Sequence, residues 1–415
     1  MILNKYSFGI GDRFGHQGKA QLAAIRKAKQ QGINIVPVWN KSHREHAIIG
    51  TTPSDTRREA DEATKTCCWD APYFIDADHI NLKNVDEFID VCDFFTLDVA
   101  EFISKTIDKA DVKDFLEKYN RFIGSLTISN INEPFYITEE KIKAVAGKYL
   151  PAIQQAGKIY RHIVEAKGVD NFIIEVSMDE TAQPQSPIEM LFILAAIAEE
   201  GIPAQTIAPK FTGRFNKGVD YVGDVDKFAK EFEEDLAVIA FAVREFDLPE
   251  NLKLSIHSGS DKFSIYNPMR EAIKKFDTGL HIKTAGTTWL EELIGLAMAG
   301  GDGLAVVKEI YTKAFIHIDE LCEPYATVIN ILRTNLPTPS EINKWDGYQL
   351  AAALRHDQSC PEFNPDLRQL LHVGYKIAAQ MGTLFTDALK KNEDIIAVNV
   401  TENIYERHIK PLLLK

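Results

Sequence analysis

Carboxylate and imidazole side chains occur close together in three short stretches of the chain. These stretches are FIDADHIN (74–81), EVSMDE (175–180) and HSGSDKFS (257–264). Imidazoles and carboxylates from separate segments can form divalent-metal sites with open coordination positions. We therefore predict a divalent cation (Mn, Zn, Ni, Co or Mg) bound by His79, Glu175 and His257. The spacing matches no named metal motif, and the alternative is that one or two of these side chains bind substrate hydroxyls.

Carboxylates near the same stretches are candidates for acid–base chemistry, which needs a proton acceptor within hydrogen-bond reach of the substrate. The candidate bases are Asp78, Asp98 and Asp179. Lys210 is a candidate for stabilising negative charge that develops in the reaction. A lysine could instead form a Schiff base, but nearby carboxylates would keep Lys210 or Lys283 protonated and disfavour attack by the amine.

An apolar run, a glycine-rich turn and an amphipathic helical pattern follow one another in YSFGIGDRFGHQGKAQLAAI (6–25). A dinucleotide-binding fingerprint requires G-x-G-x-x-G and an acidic residue after the second strand. Phe14 occupies the third glycine position, and the second apolar run ends in an asparagine and a lysine. The stretch therefore predicts a tight strand-to-helix turn that displays Arg13 and His16 as candidate substrate-binding residues.

The stretch LHIKTAGTTWLEE (280–292) is a candidate anion-binding site, because a lysine and a helix N-terminus come together in it. The candidate substrate-binding residues here are Lys283, Thr284 and Thr287, and Arg13 and Arg214 are candidates for a carboxylate clamp. An ordinary threonine cap and surface ion pairs are the alternatives. Two histidines of the C-terminal region, His356 and His372, are weak candidates for an active-site lid.

Eight apolar runs of strand length are the elements that would position these residues. They are 6–11, 34–40, 72–78, 93–100, 171–177, 204–211, 252–259 and 279–286. Helical patterns separate them, including NVDEFIDVC (84–92) between the third and fourth runs. Eightfold strand–helix alternation predicts a (β/α)8 TIM-type barrel, an α/β fold, and a doubly wound open sheet is the alternative.

Alternation within the runs predicts which side chains point to the barrel axis. In LKLSIHSG (252–259), the leucines and the isoleucine would face the helices, and Lys253, Ser255 and His257 would face inward. The same parity predicts a further inward set: Asp76, Asp78, Thr96, Asp98, Glu175, Ser177, Lys210, His281 and Lys283. Burying so much unpaired charge would be prohibitive, so we predict a polar catalytic mouth at the strand C-termini.

Two additions interrupt the regular barrel. Residues 101–170 are too long for one crossover, and they include GSLTISNINEPFYIT (124–138), which predicts a small hairpin, followed by a long helix. After the eighth strand the sequence is mostly helical, and a helix is predicted to begin near Pro339. We therefore predict a catalytic barrel over residues 1–300, with the insertion at about 101–170, and a helical C-terminal extension over 301–415 packed on the barrel.

The composition restricts the class of protein. The 415 residues are 45% hydrophobic and 26% charged, as in globular proteins, and the formal net charge is −13. A net negative charge argues against nucleic-acid binding and against adhesion to anionic membranes. No apolar run is long enough for a transmembrane helix, and the N-terminus resembles no signal peptide. The five cysteines have no C-x-x-C spacing, so we expect free thiols in a cytoplasmic protein, which we also expect to form homo-oligomers.

Long strings of the sequence resemble the tagaturonate epimerase family over nearly the whole chain. The strings are SFGIGDRFGHQGKAQ, PVWNKSHREH, FIDADHINL, EVSMDETAQPQSP, IAPKFTGRFNKGVDYVGD, HSGSDKFSIY, HIKTAGTTWLEE and FNPDLRQLLHVGYKIAAQMG. The resemblance implies interconversion of D-tagaturonate and D-fructuronate, small sugar-acid substrates, and dependence on a divalent metal. It also leaves open the neutral ketohexoses fructose and tagatose, on which some members of this group act.

That reaction would constrain the mechanism. The inverted carbon lies one bond beyond the carbon next to the ketone, so the carbonyl does not acidify its C–H bond. Transient oxidation, retro-aldol cleavage with re-addition, and relayed proton transfers remain, and we expect metal-assisted retro-aldol chemistry. A metal-dependent aldolase acting on a ketouronate or ketose, a sugar-binding protein and a nicotinamide-dependent oxidoreductase are the alternatives.

Overall fold

Eight parallel strands close into a barrel in the computed structural model, which describes residues 1–414. The ten strands within these residues are β1 (Tyr6–Gly9), β2 (Ile35–Ser42), β3 (Phe74–Ile80), β4 (Phe94–Asp98), β5 (Gly124–Leu126), β6 (Phe135–Ile137), β7 (Ile173–Ser177), β8 (Thr206–Ala208), β9 (Lys253–Ile256) and β10 (Leu280–Lys283). The barrel contains β1–β4 and β7–β10 in chain order, and β10 pairs with β1. The predicted TIM-type barrel is confirmed, and each of the eight predicted runs overlaps one barrel strand.

Helices follow most of the barrel strands and cover the outside of the barrel. They are α1 (Gly18–Gln30), α2 (His43–Ile49), α3 (Pro53–Thr66), α4 (Lys109–Tyr119), α5 (Glu139–Lys167), α6 (Pro187–Glu199), α7 (Val225–Glu245), α8 (Phe263–Phe276) and α9 (Ala285–Ala299). The prediction of a helix over residues 84–92 is wrong. The helical structure there is limited to a 3-10 turn over Val85–Glu87. Val85, Phe88, Ile89 and Cys92 are buried, so the helical spacing reflects packing against the barrel rather than a continuous α-helix.

The predicted insertion after the fourth barrel strand is present. It contains α4, the antiparallel hairpin of β5 and β6, and the 29-residue helix α5, which leads into β7. Thr138 caps α5 by accepting a hydrogen bond from the backbone N–H of Lys141 at 3.2 Å. The predicted hairpin and the long helix after it are therefore confirmed.

The C-terminal region is helical, as predicted. It contains α10 (Gly301–Ile316), α11 (Ile318–Cys322), α12 (Pro339–Ile342), α13 (Gly347–Leu354), α14 (Pro365–Val373), α15 (Tyr375–Met381), α16 (Thr383–Lys391), α17 (Glu393–Glu402) and a π-helix over Asn403–Leu414. A helix begins at Pro339, but it ends at Ile342, and α13 begins only after Asp346.

The barrel interior has an apolar floor beneath a polar layer. The floor is a buried cluster of Leu3, Val36, Val38, Phe74, Phe94 and Ile173. Two residues further along β3, β4 and β7, the same inward face carries Asp76, Thr96 and Glu175, which contact one another directly or through Lys283. Leu252, just before β9, and Leu254 and Ile256 on it belong to the other cluster, between strands and helices. The predicted alternation is therefore confirmed for these strand residues, whereas Lys210 lies beyond the end of β8.

Among the residues that the structure describes, no helix combines the length and the apolar character that a membrane span requires.

Candidate active site at the C-terminal rim of the barrel

A buried lysine joins carboxylates from β3 and β7 near the C-terminal ends of the strands. Lys283 Nζ donates to Asp76 Oδ2 at 2.8 Å and to Asp78 Oδ1 at 2.6 Å, and it lies 3.1 Å from Glu175 Oε1. It also donates to Thr96 Oγ1 at 2.7 Å, and Thr96 donates to Asp76. One ammonium therefore faces three carboxylates in a site with little access to water.

This arrangement shifts the pKa values of the four groups in different directions. Burial raises the pKa of Asp76 to about 7, against the opposing effect of Lys283. Burial alone would also raise the pKa of Asp78 and Glu175, but the lysine ammonium and nearby imidazoles hold both pKa values low. The carboxylates in turn raise the pKa of Lys283, against its burial, so the amine stays protonated and is unsuited to Schiff-base formation.

A β-bulge in β3 brings His79 to the rim. Ala77 pairs with Phe95 and Ile80 pairs with Leu97, so β3 has one residue more than β4 between these two pairs. His79 has a φ of 53°, in the left-handed region. A bulge of this kind redirects a side chain, and here Asp78 contacts the inward lysine while the His79 ring lies 5.2 Å from the His257 ring. Two neighbouring residues of one strand thus contribute to the same site.

His257 lies directly after β9 and uses its two ring nitrogens differently. Nε2 donates to Glu175 Oε1 at 2.6 Å, and Glu175 also accepts a hydrogen bond from Thr206 at 2.8 Å. Nδ1 lies 3.2 Å from Asp179 Oδ1, is buried, and has no hydrogen-bond partner with acceptable geometry in the described residues. Asp179 is fixed in turn by a 2.6 Å hydrogen bond from Ser177.

His79, Asp179 and His257 form a group that could hold a metal ion, because one ligand atom from each lies within 4.8 Å of the others. Burial alone would lower the histidine pKa values, but surrounding carboxylates raise that of His257 to about 9 and that of His79 well above its usual range. Despite burial, His257 and His79 hold the pKa of Asp179 very low. The group contains Asp179 where the sequence predicted Glu175, which instead accepts hydrogen bonds from His257 and Thr206.

Three other candidates have different contacts. Asp98 Oδ2 lies 3.4 Å from His79 Nδ1, and this carboxylate remains 23% exposed. The Lys210 ammonium donates to the backbone carbonyl of Thr181, so it holds the loop after β7. Arg214 is exposed, and its backbone pairs with Val222.

The glycine turn after β1 holds a carboxylate of the chain itself. Asp12 accepts hydrogen bonds from the backbone N–H groups of Phe14 at 3.0 Å, Gly15 at 3.0 Å and His16 at 2.7 Å, and from that of Gln17. The position that a phosphate would take at this helix N-terminus is therefore filled by Asp12. The predicted strand-to-helix turn is confirmed.

The predicted substrate-binding residues of this turn contact the helical extension. The Arg13 guanidinium donates to Glu45 Oε1 at 3.1 Å and to the carbonyl of His372 at 2.9 Å, and it stacks on the Tyr375 ring at 3.9 Å. His16 is half-buried, and burial lowers its pKa, with smaller effects of Asp12 and of charges on the extension. The two side chains therefore lie at the junction of barrel and extension.

The turn after β10 was predicted as an anion site, with a threonine cap as the alternative, and Thr284 forms no side-chain cap bond to the helix. Thr284 Oγ1 donates to the carbonyl of Gly9 at 3.0 Å, and Thr287 Oγ1 donates to Asn403 Oδ1 at 3.0 Å. A Cβ on Gly286 would lie 2.3 Å from His372 Cε1, so the His372 ring covers the first turn of α9. Both threonine hydroxyls are thus engaged within the protein.

Two basic residues on the loops and helices beside the site, Lys217 and Arg368, were not predicted from the sequence. Lys217 is half-buried and donates to Ser258 Oγ, beside His257, at 2.8 Å, and it forms no ion pair with a carboxylate in residues 1–414. Arg368 is buried on α14 and pairs with Asp261 on the loop after β9. Neither lies on a strand, so the alternation that located the other residues gives no signal for them.

The closed barrel, with imidazoles, carboxylates and a lysine gathered at its C-terminal rim, defines a (β/α)8-barrel enzyme. A family model described as tagaturonate epimerase matches residues 1–412. The chain belongs to this family and is an isomerase of the epimerase class.

Individual relatives agree with this family. The chain is 28% identical over 425 residues to the tagaturonate/fructuronate epimerase of Thermotoga maritima, covering 97% of this chain and 80% of the relative. The native crystal structure of fructuronate-tagaturonate epimerase UxaE from Cohnella laeviribosi shares 23% identity and the same fold, with a TM-score of 0.82 over 99% of this chain and 82% of that one. A complex of the same enzyme with two glycerol molecules gives a TM-score of 0.83 at 24% identity over 100% of this chain and 83% of that one.

Proposed function

We propose that this chain interconverts D-tagaturonate and D-fructuronate with the help of a divalent metal ion held by His79, Asp179 and His257. The observation that carries the proposal is the convergence of these three side chains at the rim of the barrel. Membership of the tagaturonate epimerase family and the likeness to the Thermotoga maritima enzyme support the choice of substrates.

The residues present fit a cation. His257 Nδ1 is buried beside Asp179 without a hydrogen-bond partner in the described chain, as a ligand atom would be in the absence of its metal. The surrounding carboxylates exceed the positive charge of Lys283, and without a metal they are compensated by raised histidine pKa values. When bound, a divalent ion supplies Lewis-acid stabilisation of negative charge on substrate oxygens.

Glu175 has a supporting role in this proposal, in place of the ligand role that the sequence predicted. It accepts the Nε2–H of His257, so Nδ1, on the side of Asp179, is the nitrogen that would bind a cation after losing its proton. Carboxylates commonly fix metal-binding histidines in this way, by setting the tautomer and the orientation of the ring.

Asp98 is our choice among the three predicted bases. Asp78 is held by Lys283 and Asp179 belongs to the proposed metal group, whereas the Asp98 carboxylate is still partly exposed. In the retro-aldol route the base takes the proton of the hydroxyl on the inverted carbon while the bond to the neighbouring carbon breaks. After the aldehyde turns over, the bond forms again on the other face and the base returns the proton.

Lys217 is our choice for the residue that binds the carboxylate of the substrate. Its ammonium lies beside the loop that carries His257, and it has no carboxylate of the protein to neutralise it in residues 1–414. Arg13, which the sequence predicted for this role, already pairs with Glu45. A free cation at the rim would favour sugar acids over neutral ketohexoses.

Turnover of substrate labelled with deuterium at the inverted carbon tests the mechanism. The retro-aldol route leaves the label in the epimerised product, because that C–H bond never breaks. Loss of the label to solvent would show proton transfer at that carbon, and accumulation of two fragments would show an aldolase. A lack of epimerisation with Mn, Zn, Ni, Co and Mg in turn would disprove the metal-dependent function.

We also infer that the enzyme acts in the cytoplasm as a homo-oligomer and binds neither nucleic acid nor membranes. The five free cysteines and the net charge of −13 support this inference. Exposed apolar side chains on the extension, such as Ile316, Tyr348 and Val398, are candidate contacts between subunits. Light scattering after size-exclusion chromatography measures the number of subunits.

A further inference from the structure

The loop that follows β9 has a conformation that its own residues do not favour. It carries His257 and continues to Lys262, and φ is 50° at Ser258 and 63° at Asp261. Residues other than glycine rarely adopt a φ in this left-handed region. Such conformations persist only where the surrounding structure holds them. Two such residues within four positions of His257 require contacts from outside the loop.

The helical extension supplies those contacts. Arg368 Nη2 donates to both carboxylate oxygens of Asp261, at 3.1 and 3.0 Å, and both residues are 0% exposed. The backbone N–H of Asp261 donates to His408 Nε2 at 3.0 Å. His408 in turn donates from Nδ1 to the carbonyl of Asn403 at 2.9 Å, which fixes the tautomer that can accept from Asp261.

The same guanidinium also holds the loop after β8. Arg368 Nε donates to the carbonyl of Gly218 at 2.5 Å, and Nη1 donates to the carbonyl of Leu354 at 2.8 Å. Gly218 is next to Lys217, whose ammonium reaches Ser258 at 2.8 Å. One buried side chain therefore joins the extension to both loops, which carry His257 and Lys217.

We propose that Arg368 is a positioning residue for this enzyme, which holds the loop after β9, and through it His257, in the geometry that the reaction requires. The inference rests on the proposed function in so far as His257 is a reacting or metal-binding group. It adds that the extension takes part in assembling the site. Arg368 touches none of the reacting groups itself and acts through Asp261 and Gly218.

Amide hydrogen exchange on the full-length protein without added metal tests the position of the loop, and it does not depend on the activity. The variant Arg368→Lys keeps the positive charge but loses the fork that grips two oxygens and two carbonyls. We expect residues 258–262 to lose their slow exchange while the barrel strands keep theirs. Asp261→Asn, which weakens the same pair from the other side, should have the same local effect.

Arg57 on α3 provides the matched control. It contacts Asp93 at 2.6 Å and the carbonyl of Val91 at 2.9 and 2.7 Å, before the start of β4 and at the other end of the barrel from the site. Arg57→Lys should leave exchange in residues 258–262 unchanged. A loss of protection there in this variant as well would mean that general loosening, rather than positioning, is the cause.

Two further measurements connect the loop to function. In Arg368→Lys we expect Mn²⁺ affinity, measured by calorimetry with the metal alone, and kcat to fall about 10- to 100-fold, as for other residues that support a metal ligand. KM should change much less. Wild-type exchange, affinity and kcat in a folded Arg368→Lys would overturn the proposal. So would global unfolding of both Arg368→Lys and Asp261→Asn, because the pair would then hold the whole fold rather than the loop.

An inactive wild-type protein would disprove the proposed function, and with it the role of His257 in the reaction, whereas the exchange experiment would still report whether Arg368 holds the loop.

Discussion

His257 lies between the carboxylates of Glu175 and Asp179. Each carboxylate faces a different ring nitrogen, and the two carboxylates therefore have different roles. Glu175 binds Nε2–H at 2.6 Å, whereas Asp179 faces the unpartnered Nδ1 at 3.2 Å. A metal ligand needs the lone pair of a neutral imidazole, and a carboxylate on the opposite nitrogen makes that lone pair more basic. At the scale of single residues, Asp179 therefore has the position of a metal ligand, and Glu175 has the position of the carboxylate that orients the His257 ring.

Replacing Asp179 and Asp98 by asparagine should separate metal binding from catalysis. We expect Asp179→Asn to lose most of its affinity for Mn²⁺, because a charged ligand is replaced by a neutral one. Asp98→Asn removes a carboxylate that contacts His79, so it should weaken metal binding less than Asp179→Asn does, and it should lose about 10²- to 10⁴-fold in kcat, the usual contribution of a general base. Calorimetric titration with the metal and steady-state kinetics measure the two quantities.

The reverse pattern would exchange the two roles. If Asp98→Asn loses the metal and Asp179→Asn keeps it, Asp98 is the ligand. Glu175→Gln is the control for a supporting role, because it should weaken metal binding while keeping some affinity.

Lys217→Met should weaken the use of sugar acids as substrates but not the use of neutral sugars. Loss of one charge-assisted hydrogen bond costs about 1.5–3 kcal/mol, so KM for tagaturonate should rise about 10- to 100-fold. Epimerisation of tagatose, where the wild type shows it, should be unaffected, since that substrate has no carboxylate. Lys275→Met, at an exposed pair with Glu233, is the matched control. Equal losses on both substrates would instead show that Lys217 supports the loop at Ser258.

The sequence was sufficient to predict which residue types meet at the rim, but not every partner. His79 and His257 lie together, as their positions near the C-terminal ends of two predicted strands imply, and Glu175 points inward as its parity requires. Asp179 lies two residues beyond the end of β7, where alternation no longer determines direction. Its place beside His257 depends on a hydrogen bond from Ser177, which no sequence pattern indicates.

At the scale of elements, local irregularities in the strands determine which side chains reach the site. Regular alternation would point Asp78 and His79 to opposite faces of β3, and the bulge is what lets both reach the rim. A sequence pattern predicts the strand and its inward face, but it does not predict a one-residue bulge. The same limit explains the region 84–92, where buried apolar residues at helical spacing do not form an α-helix.

Asp12→Ala tests the turn that begins α1. Asp12 is buried and accepts four backbone N–H groups, so its removal leaves unsatisfied donors at a helix N-terminus. We expect the free energy of unfolding to fall by about 2 kcal/mol or more, measured by urea denaturation. Asp108→Ala removes a single exposed cap bond on α4 and should cost about 1 kcal/mol or less. The Glu59 carboxyl lies beside Asp12, and burial and then the Asp12 charge raise its pKa. A gain in stability in Asp12→Ala would mean that relief of this unfavourable interaction outweighs the loss of the cap.

At the scale of the whole molecule, the extension and the barrel form a continuous packing unit. Trp289 on α9 donates to the carbonyl of Leu371 on α14 at 2.8 Å, and Thr401 on α17 donates to Ala20 on α1 at 3.0 Å. The helical nature of the C-terminal region was predictable from its sequence. Its contacts with the rim were not, because they depend on long-range packing, and the division into domains at residue 300 stays a prediction.

Asp235, in the middle of α7, is a buried group that the proposed chemistry does not use. It is 0% exposed, and neither carboxyl oxygen has a hydrogen-bond partner in the described part of the chain. Burial, and then the negative charges of Glu231 and Glu234, raise its pKa well above the usual value. The folded protein therefore keeps the Asp235 proton to a higher pH than the unfolded chain does. In the unfolded chain an aspartate has a pKa of about 4.

Asp235→Asn should consequently stabilise the protein by an amount that grows with pH. Above about pH 4, the unfolded chain binds fewer protons at Asp235 than the folded protein does, so the free energy of unfolding falls as pH rises, by about 1.4 kcal/mol per unit up to the folded pKa. The asparagine cannot ionise and avoids this loss. Calorimetric Tm values at pH 5 and pH 8 should show a larger advantage of the variant at pH 8, whereas Asp387→Asn, at an exposed site, should show none. A constant advantage at both pH values would show that packing of the amide, rather than ionisation of the acid, is responsible.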